Sequence, residues 1–208
     1  MSMNVPLRFV TFEGPEGAGK TTQAAHLAEW LRTRGLEAVL TREPGGTELG
    51  REVRRWLLHR PEGMSAEAEF LLYSADRAEH LRRVVRPGLE RGAFVISDRF
   101  VDSSYAYQGY GRGLDLNWLR AVSRGIVGET RPALTVLLDL PPEEGLARLS
   151  GRDRLEGEPA AFHARVRQGY LELARAEPER FLVLDAREDP ESLAARIREE
   201  VSRRWALD

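Results

Sequence analysis

The chain has 208 residues, of which 42% are hydrophobic, and its 31 basic and 33 acidic side chains leave a net charge of −2. It can bury a sizeable core in one domain, and its balanced charge offers no overall positive field for nucleic acid or a membrane surface. It contains no cysteine, which excludes disulfides, thiolate catalysis and cysteine-ligated metal. No targeting segment or membrane-length apolar run is visible, so we expect an untargeted, cytoplasmic protein.

Short apolar runs rich in β-branched residues alternate with segments of helical period. This alternation is typical of an α/β protein with a parallel sheet, in which most strands are buried on both faces and carry little charge. Because no repeat, low-complexity tract or linker interrupts the pattern, we expect a single domain over residues 1–208. Five strands are predicted, over residues 7–12, 37–41, 93–97, 134–140 and 181–185.

Helices should lie between these strands. Ser65 is a good N-cap, and Pro87 followed by Gly88 should interrupt or kink the helix that Ser65 begins. The glycine-bearing charged stretch 150–159 should be a mobile excursion between two helices. The predicted helices cover residues 20–34, the segment from Ser65 towards Arg86, a segment beginning at Asp115, and residues 190–205.

One lysine, Lys20, stands among the 31 basic residues, and all the others are arginines. It belongs to a GxxxxGK[ST] motif that follows a predicted strand and precedes a predicted helix, the context of a phosphate-binding loop. Glycines let backbone N–H groups converge on phosphate, the helix N-terminus adds a positive dipole end, and Lys20 would reach the β and γ phosphates. The predicted ATP-binding residues are Gly14, Pro15, Glu16, Gly17, Ala18, Gly19, Lys20, Thr21 and Thr22.

Asp98 and Arg99 follow the third predicted strand, at the sheet edge where open α/β proteins bind ligands. An aspartate at that edge assists Mg²⁺ in P-loop enzymes, and the hydroxyl of Thr21 is a second predicted ligand. The four histidines show no metal-ligand spacing, and we expect them to be bystanders.

The composition separates some classes of P-loop protein from others. A GTPase that reads guanine through NKxD is excluded, because the only lysine lies in the phosphate loop. No basic groove or aromatic platform suggests a motor acting on DNA. Arginines in several separate loops suit two phosphorylated substrates. A kinase of another nucleotide or of a nucleoside, and a noncatalytic nucleotide-binding regulator, remain alternatives at this point.

Five motifs in order along the chain resemble bacterial thymidylate kinases. They are FEGPEGAGKTTQ (12–23), TREPGGT (41–47), LLYSADR (71–77), DRFVDSSYAYQG (98–109) and GRDRLE (151–156). The resemblance implies a P-loop NTPase fold of the nucleoside monophosphate kinase type, with a five-stranded parallel sheet and a short lid at about residues 150–159. It implies Mg²⁺-dependent transfer of the γ-phosphoryl group of ATP to dTMP, giving dTDP and ADP in dTTP biosynthesis. It also implies a homodimer.

The resemblance further implies roles for individual residues. Glu16 would accept a hydrogen bond from the sugar 3′-hydroxyl, and Arg42 and Arg99 would hold the acceptor phosphate. Pro44 would follow a cis peptide bond. Tyr107 would crowd C2′ and so select deoxyribose.

For the base, Tyr73 would stack on thymine and Arg77 would donate to a base carbonyl, with Ser104 at a further polar contact. Gln108 would border the same site as Tyr107. The family commonly has phenylalanine where Tyr73 stands, and asparagine or threonine where Ser104 stands. In the lid, Arg152 would contact ATP and Arg154 would stabilise the transferring phosphoryl group. No general base is required, because the acceptor phosphate is already anionic.

Overall fold

The computed structural model describes residues 6–59, 63–149 and 154–207, apart from the side chain at position 59. Its centre is a five-stranded, fully parallel sheet with the strand order β2-β3-β1-β4-β5. All five predicted strands are confirmed, with ends that differ from the prediction by no more than two residues. They are β1 (Phe9–Glu13), β2 (Ala38–Arg42), β3 (Phe94–Asp98), β4 (Leu134–Asp139) and β5 (Phe181–Asp185).

Burial of the strands follows their place in the sheet. Every residue of β1 and β3 is buried, as predicted from apolar runs that carry a charged residue only at their carboxyl ends. Strands β2 and β5 form the two edges and each leaves one large apolar side chain exposed, Leu40 and Val183. Burial on both faces therefore holds for the central strands only.

Helices flank the sheet on both faces. Ser65 and Asp115 cap α3 and α6 through their side chains, as predicted, by accepting hydrogen bonds from the N–H groups of Ala68 (3.2 Å) and Asn117 (3.0 Å). The helices are α1 (Lys20–Thr33), α2 (Glu48–His59), α3 (Ala66–His80), α4 (Arg86–Glu90), α5 (Val101–Ser104), α6 (Leu116–Val127), α7 (Pro142–Ala147), α8 (Ala160–Ala176) and α9 (Pro190–Trp205).

Two π-helical turns occur that were not predicted from the sequence. The turn Leu81–Val85 joins α3 to α4, so the chain stays helical past Pro87 and Gly88 as far as Glu90. The predicted interruption does not occur, because Pro87 directly follows the π-helical turn, where the hydrogen-bond spacing already departs from that of an α-helix; the alternative of a kink at Pro87 stays a prediction. The second π-helical turn, Tyr105–Gly111, continues α5 and carries residues of the site described below.

The core is built on the two faces of the sheet. On one face, α1 and α9 pack against β1 through residues such as Leu27, Leu31 and Ile197. On the other face, Phe9 and Val95 pack against Phe100. Within the described part of the chain, no helix is long and apolar enough to cross a membrane.

Candidate active site

The carboxyl ends of β1, β2 and β3 meet at one edge of the sheet, because Phe12 and Arg42 both lie in register with Asp98. Loops that leave these three strands therefore face a common space. This main cleft has a cavity volume of about 210 Å³. Most of the predicted site residues line it, namely Glu16, Gly17, Lys20, Thr21, Arg42, Pro44, Tyr73, Arg77, Asp98, Arg99, Ser104, Tyr107 and Gln108.

The phosphate loop is held close to the chain that follows β4. A side chain at Gly17 would place its Cβ only 2.2 Å from the carbonyl oxygen of Gly145, and one at Gly145 would lie 2.2 Å from that of Glu16. Only glycine at both positions permits this approach. Gly19 then caps α1 with a φ of 88°, so the helix N-terminus opens directly onto the loop.

Lys20 lies inside the loop, almost fully buried, and its Nζ donates to the carbonyl oxygen of Pro15 at 2.5 Å. Burial, followed by the nearby charge of Arg99, lowers the pKa of Lys20 from 10.5 to about 8. The nearby carboxylates of Asp98 and Glu16 only partly offset this lowering of the pKa, and the phosphates of a bound nucleotide would add further negative charge beside the ammonium.

Thr21 and Asp98 meet beside the loop. The hydroxyl of Thr21 donates to Asp98 Oδ2 at 2.5 Å, and Arg42 Nη2 lies 3.9 Å from the same oxygen. A hydroxyl and a carboxylate are the hard oxygen donors that Mg²⁺ accepts when phosphates and water complete its shell. The residues present therefore fit a magnesium ion shared with a nucleotide, although no cluster of three or more His, Asp or Glu side chains suited to a metal occurs among the described residues.

Arg99 joins the phosphate loop to the far side of the cleft. Its Nη1 donates to the carbonyl oxygen of Gly14 and to the hydroxyls of Ser103 and Tyr170, at 3.1 to 3.2 Å. Its Nη2 donates to Glu16 Oε1 and to the hydroxyl of Tyr107, each at 3.2 Å. The guanidinium is thus fixed in direction before any ligand binds.

Glu16 turns towards Arg99, which accounts for a carboxylate inside a phosphate loop. Its Oε1 also accepts a hydrogen bond from the hydroxyl of Tyr107 at 2.5 Å. Burial alone would raise the pKa of Glu16, but the charges of Arg99 and Lys20 outweigh it and lower that pKa. Glu16 Oε2 is buried and has no hydrogen-bond partner among the described residues, so it can accept a ligand hydroxyl.

Glu13 lies behind this group and was not predicted from the sequence. It accepts hydrogen bonds from the N–H of Phe100 (2.8 Å) and from the hydroxyls of Ser103 (2.5 Å) and Tyr170 (3.1 Å). Both hydroxyls also accept from Arg99, so Glu13 holds the partners of that guanidinium. Burial, and then the charge of Asp102, raises the pKa of Glu13 from 4.5 to about 7.

The opposite end of the cleft carries the residues predicted for the base. Arg77 is buried, and its Nη2 donates to Ser104 Oγ at 3.1 Å and to the carbonyl oxygen of Phe100 at 3.2 Å. Gln108 Nε2 donates to Glu69 Oε1 at 2.7 Å, and Tyr73 is half-buried in the cleft wall. Aromatic and polar groups therefore face the same space from α3 and the second π-helical turn.

Arg42 and Pro44 lie between the two ends of the cleft. Arg42 is about half exposed, and the Glu43–Pro44 peptide bond is cis, as expected. Arg54 was not predicted; it lines the cleft from α2 and donates to the carbonyl oxygen of Pro44 at 3.2 Å. It was missed because nothing in its sequence context separates it from the other arginines of α2.

Of the two predicted lid arginines, Arg154 is not brought to the phosphate loop. Arg152 lies outside the described residues. Arg154 donates to Glu69 Oε2 at 2.5 Å and to the carbonyl oxygen of Leu57 at 2.8 Å, at the end of the cleft that holds Gln108. Arg148 does reach the loop and donates to the carbonyl oxygen of Gly17 at 3.2 Å; sequence analysis did not identify it.

The family model described as thymidylate kinase matches residues 12–197, which includes every element around the cleft. The chain belongs to the thymidylate kinase family. Thymidylate kinases phosphorylate dTMP to dTDP with ATP, so the chain is a nucleotide-binding phosphotransferase of nucleotide biosynthesis. The family assignment removes the two alternatives left open by the sequence, a kinase of another class and a noncatalytic regulator.

Individual thymidylate kinases match over almost their full length. The chain is 54% identical over 199 residues to the enzyme of Deinococcus radiodurans, covering 94% of this chain and 97% of the relative. It is 53% identical over 189 residues to that of a Synechococcus strain, covering 91% of each. The crystal structure of thymidylate kinase from Ehrlichia chaffeensis superposes with a TM-score of 0.78 at 33% identity, over 93% of this chain and 97% of that one. The predicted fold is confirmed.

Proposed function

We propose that the two ends of the main cleft bind the two nucleotides of the thymidylate kinase reaction, with ATP on the phosphate loop and dTMP between Arg99 and Arg77. The observation that carries this arrangement is the position of Arg99. Its guanidinium contacts the phosphate loop at Gly14 and Glu16 and the acceptor side at Tyr107. An acceptor phosphate bound there would face the γ phosphate held by Lys20.

Lys20 and α1 bind the β and γ phosphates, while Thr21 and Asp98 hold Mg²⁺. When bound, the magnesium ion neutralises charge on the phosphate oxygens. Because Thr21 and Asp98 already lie 2.5 Å apart, their two oxygens are in place to share one ion. In the ATP complex the ammonium of Lys20 gains negative charge beyond that of the nearby carboxylates, which offset its burial only in part in the free protein.

On the acceptor side, Arg42 and Arg99 hold the phosphate of dTMP and orient one anionic oxygen for in-line attack. Glu16 Oε2 accepts from the 3′-hydroxyl, and Tyr107 fills the space next to C2′. Arg77 and Ser104 contact the base beside Tyr73 and Gln108. The acceptor oxygen carries its own negative charge, so these residues position and neutralise rather than remove a proton.

Arg154 is proposed as the group that stabilises charge on the transferring phosphoryl group. In the structure its guanidinium is paired with Glu69. The proposed role therefore requires Arg154 to leave Glu69 when both nucleotides are bound, and the stretch 150–159 to act as a lid. Arg152, in the same stretch, would contact ATP.

The protein is proposed to act as a homodimer in the cytoplasm, where ATP and dTMP are available. Helices α3 and α6 pack side by side and share an apolar outer face, on which Leu71 is 49% and Trp118 37% exposed. The ring of Trp118 also packs on Phe70, 5.1 Å between centroids. A second copy seated on this face would remove both side chains from water.

The experiment that tests the function is ADP release from ATP and Mg²⁺ with dTMP, dUMP, ribothymidine monophosphate, dCMP, dGMP, AMP or thymidine as acceptor. We expect dTMP to be strongly preferred. Preference for thymidine over dTMP, or turnover of none of them, would overturn the acceptor site while leaving the phosphate loop intact. Omission of Mg²⁺ should abolish turnover.

A further inference from the structure

Arg77 is held so that one of its nitrogens stays open to a ligand. Its Nε donates to Glu43 Oε2 at 2.8 Å, and its Nη2 donates to Ser104 and Phe100. Its Nη1 is buried and has no hydrogen-bond partner among the described residues. A buried N–H group without a partner is costly, so Nη1 is suited to a carbonyl oxygen that a bound base brings.

Glu43 is in turn held by a second buried group. Its Oε1 lies 2.8 Å from His80 Nδ1, and His80 Nε2 lies 2.7 Å from the hydroxyl of Thr41. Glu43 and His80 are both buried, so water does not compete for these bonds. A Cβ at Gly46 would lie 2.7 Å from both His80 Cδ2 and Thr41 Oγ1, which shows how tightly the backbone closes over the imidazole. His80 was expected to be a bystander, yet it belongs to a continuous series of hydrogen bonds that runs from Thr41 through His80 and Glu43 to Arg77.

We propose that Glu43 and His80 are positioning residues for base selection, acting through the direction in which they hold Arg77. The inference rests on the proposed function, in which Arg77 contacts the base. Thymine presents a carbonyl at the edge where cytosine presents an amino group. An N–H donor that is fixed in direction binds the carbonyl of thymine and disfavours the amino group of cytosine, whereas a mobile arginine would tolerate both.

The donor and acceptor at each hydrogen bond of this series can be assigned starting from Arg77. The guanidinium can only donate, so Glu43 Oε2 accepts from Arg77. His80 then donates from Nδ1 to the other carboxylate oxygen, and its Nε2 accepts from Thr41. In Glu43→Gln the amide oxygen would accept from Arg77, and the amide NH₂ would donate to His80 Nδ1. His80 must then carry its proton on Nε2, which donates to Thr41.

The test measures kcat/KM for dTMP and for dCMP, together with KM for ATP, in Glu43→Gln and in Thr41→Val. Glu43→Gln keeps the shape of the side chain but removes the negative charge that faces Arg77. Thr41→Val removes only the hydroxyl that bonds to His80, and valine has a similar volume. We expect the ratio of kcat/KM for dTMP to kcat/KM for dCMP to fall by roughly tenfold or more in Glu43→Gln. This is the factor that corresponds to one hydrogen bond to a charged group. Thr41→Val should show a smaller fall, and KM for ATP should not change in either.

Glu79→Gln is the matched control. Glu79 lies one residue from His80 but pairs only with Arg82 and Arg83 among the described residues, so its replacement should leave the ratio unchanged. Nitrogen NMR of the imidazoles should show one histidine changing from the Nδ1–H to the Nε2–H tautomer in Glu43→Gln. Unchanged selectivity in both variants would refute the inference. Absence of dTMP turnover in the unaltered protein would refute the proposed function instead.

Discussion

Replacement of Arg154 by alanine tests whether its guanidinium acts on the transferring phosphoryl group or only in the ion pair seen here. The structure gives the cost of losing the ion pair. Arg154 donates to Glu69 and to the carbonyl oxygen of Leu57, while Glu69 keeps Gln108 and Arg112 as partners. A hydrogen bond between charged groups contributes about 1.5–3 kcal/mol and a neutral acceptor about 1 kcal/mol, so the free energy of unfolding should fall by about 3 kcal/mol.

The catalytic role predicts a second, separate effect. Arginines that neutralise charge in phosphoryl transfer contribute on the order of 10³-fold or more to kcat. Arg154→Ala should therefore lower kcat by about that factor, with a modest change in KM for dTMP. Denaturant unfolding followed by fluorescence gives the stability, and coupled ADP release gives kcat, on the same preparation.

Glu69→Gln separates the two effects, because it weakens the ion pair and leaves the guanidinium in place. This variant should lose stability but retain kcat. Arg154→Lys keeps the charge but not the planar guanidinium, so its kcat should lie between those of Arg154→Ala and the unaltered protein. If kcat of Arg154→Ala equals that of the unaltered protein while its stability falls, Arg154 is a structural residue and the lid assignment is wrong.

Three further predictions concern pH and assembly. The pKa of Lys20 is lowered to about 8 in the free protein, so ATP binding should require proton uptake and the affinity for ATP should weaken as pH rises above about 8. Calorimetry in buffers of different ionisation enthalpy measures the proton uptake. A constant affinity for ATP up to about pH 9.5 would contradict this prediction. The folded-state pKa of Glu13, about 7, exceeds its ordinary value of 4.5, so the stability from this group is present below about pH 4.5 and is lost as pH rises through about 7. Glu13→Gln should lack that loss in pH-dependent unfolding, and parallel curves for the two proteins would show that the carboxyl does not titrate there. Leu71→Glu should convert a dimer to monomers in sedimentation velocity, whereas Val183→Glu, at a similarly exposed position on β5, should not; dimers in both would exclude the face of α3 and α6.

The parts of the site that could be predicted from sequence are those fixed by the local chain. The motif around Lys20 specifies a strand, a glycine turn and a helix N-terminus, and Asp98 comes at the end of a buried strand; both lie at the sheet edge as expected. Glu69 and His80 could not be found in this way. Both lie on α3 among ordinary polar residues, and their side-chain partners, such as Arg154 and Thr41, are 37 to 85 residues away in the sequence. Their roles depend on burial and on contacts with residues distant in the sequence, which the helical periodicity of α3 does not reveal.

The end of β3 shows how adjacent residues come to serve different substrates. Asp98 is in register with β1 and β2 and points to Thr21, but Arg99 leaves the strand with a φ of 71°. A side chain in that left-handed region costs on the order of 1 kcal/mol. The turn is held by two hydrogen bonds, from Arg99 N–H to the carbonyl oxygen of Phe12 (2.9 Å) and from Ser97 Oγ to that of Arg99 (2.7 Å).

The reversal of the backbone sends the guanidinium of Arg99 across the cleft, while the carboxylate of Asp98 stays with the phosphate loop. Glycine at position 99 would relieve the backbone but would leave Glu16 and Tyr107 without their shared cation. The strained conformation thus lets one strand end direct a carboxylate towards the phosphate loop and a fixed positive charge across the cleft. Because Glu16 belongs to the phosphate loop and Tyr107 to the opposite wall, the single side chain of Arg99 joins the two ends of the cleft at which we propose that the nucleotides bind.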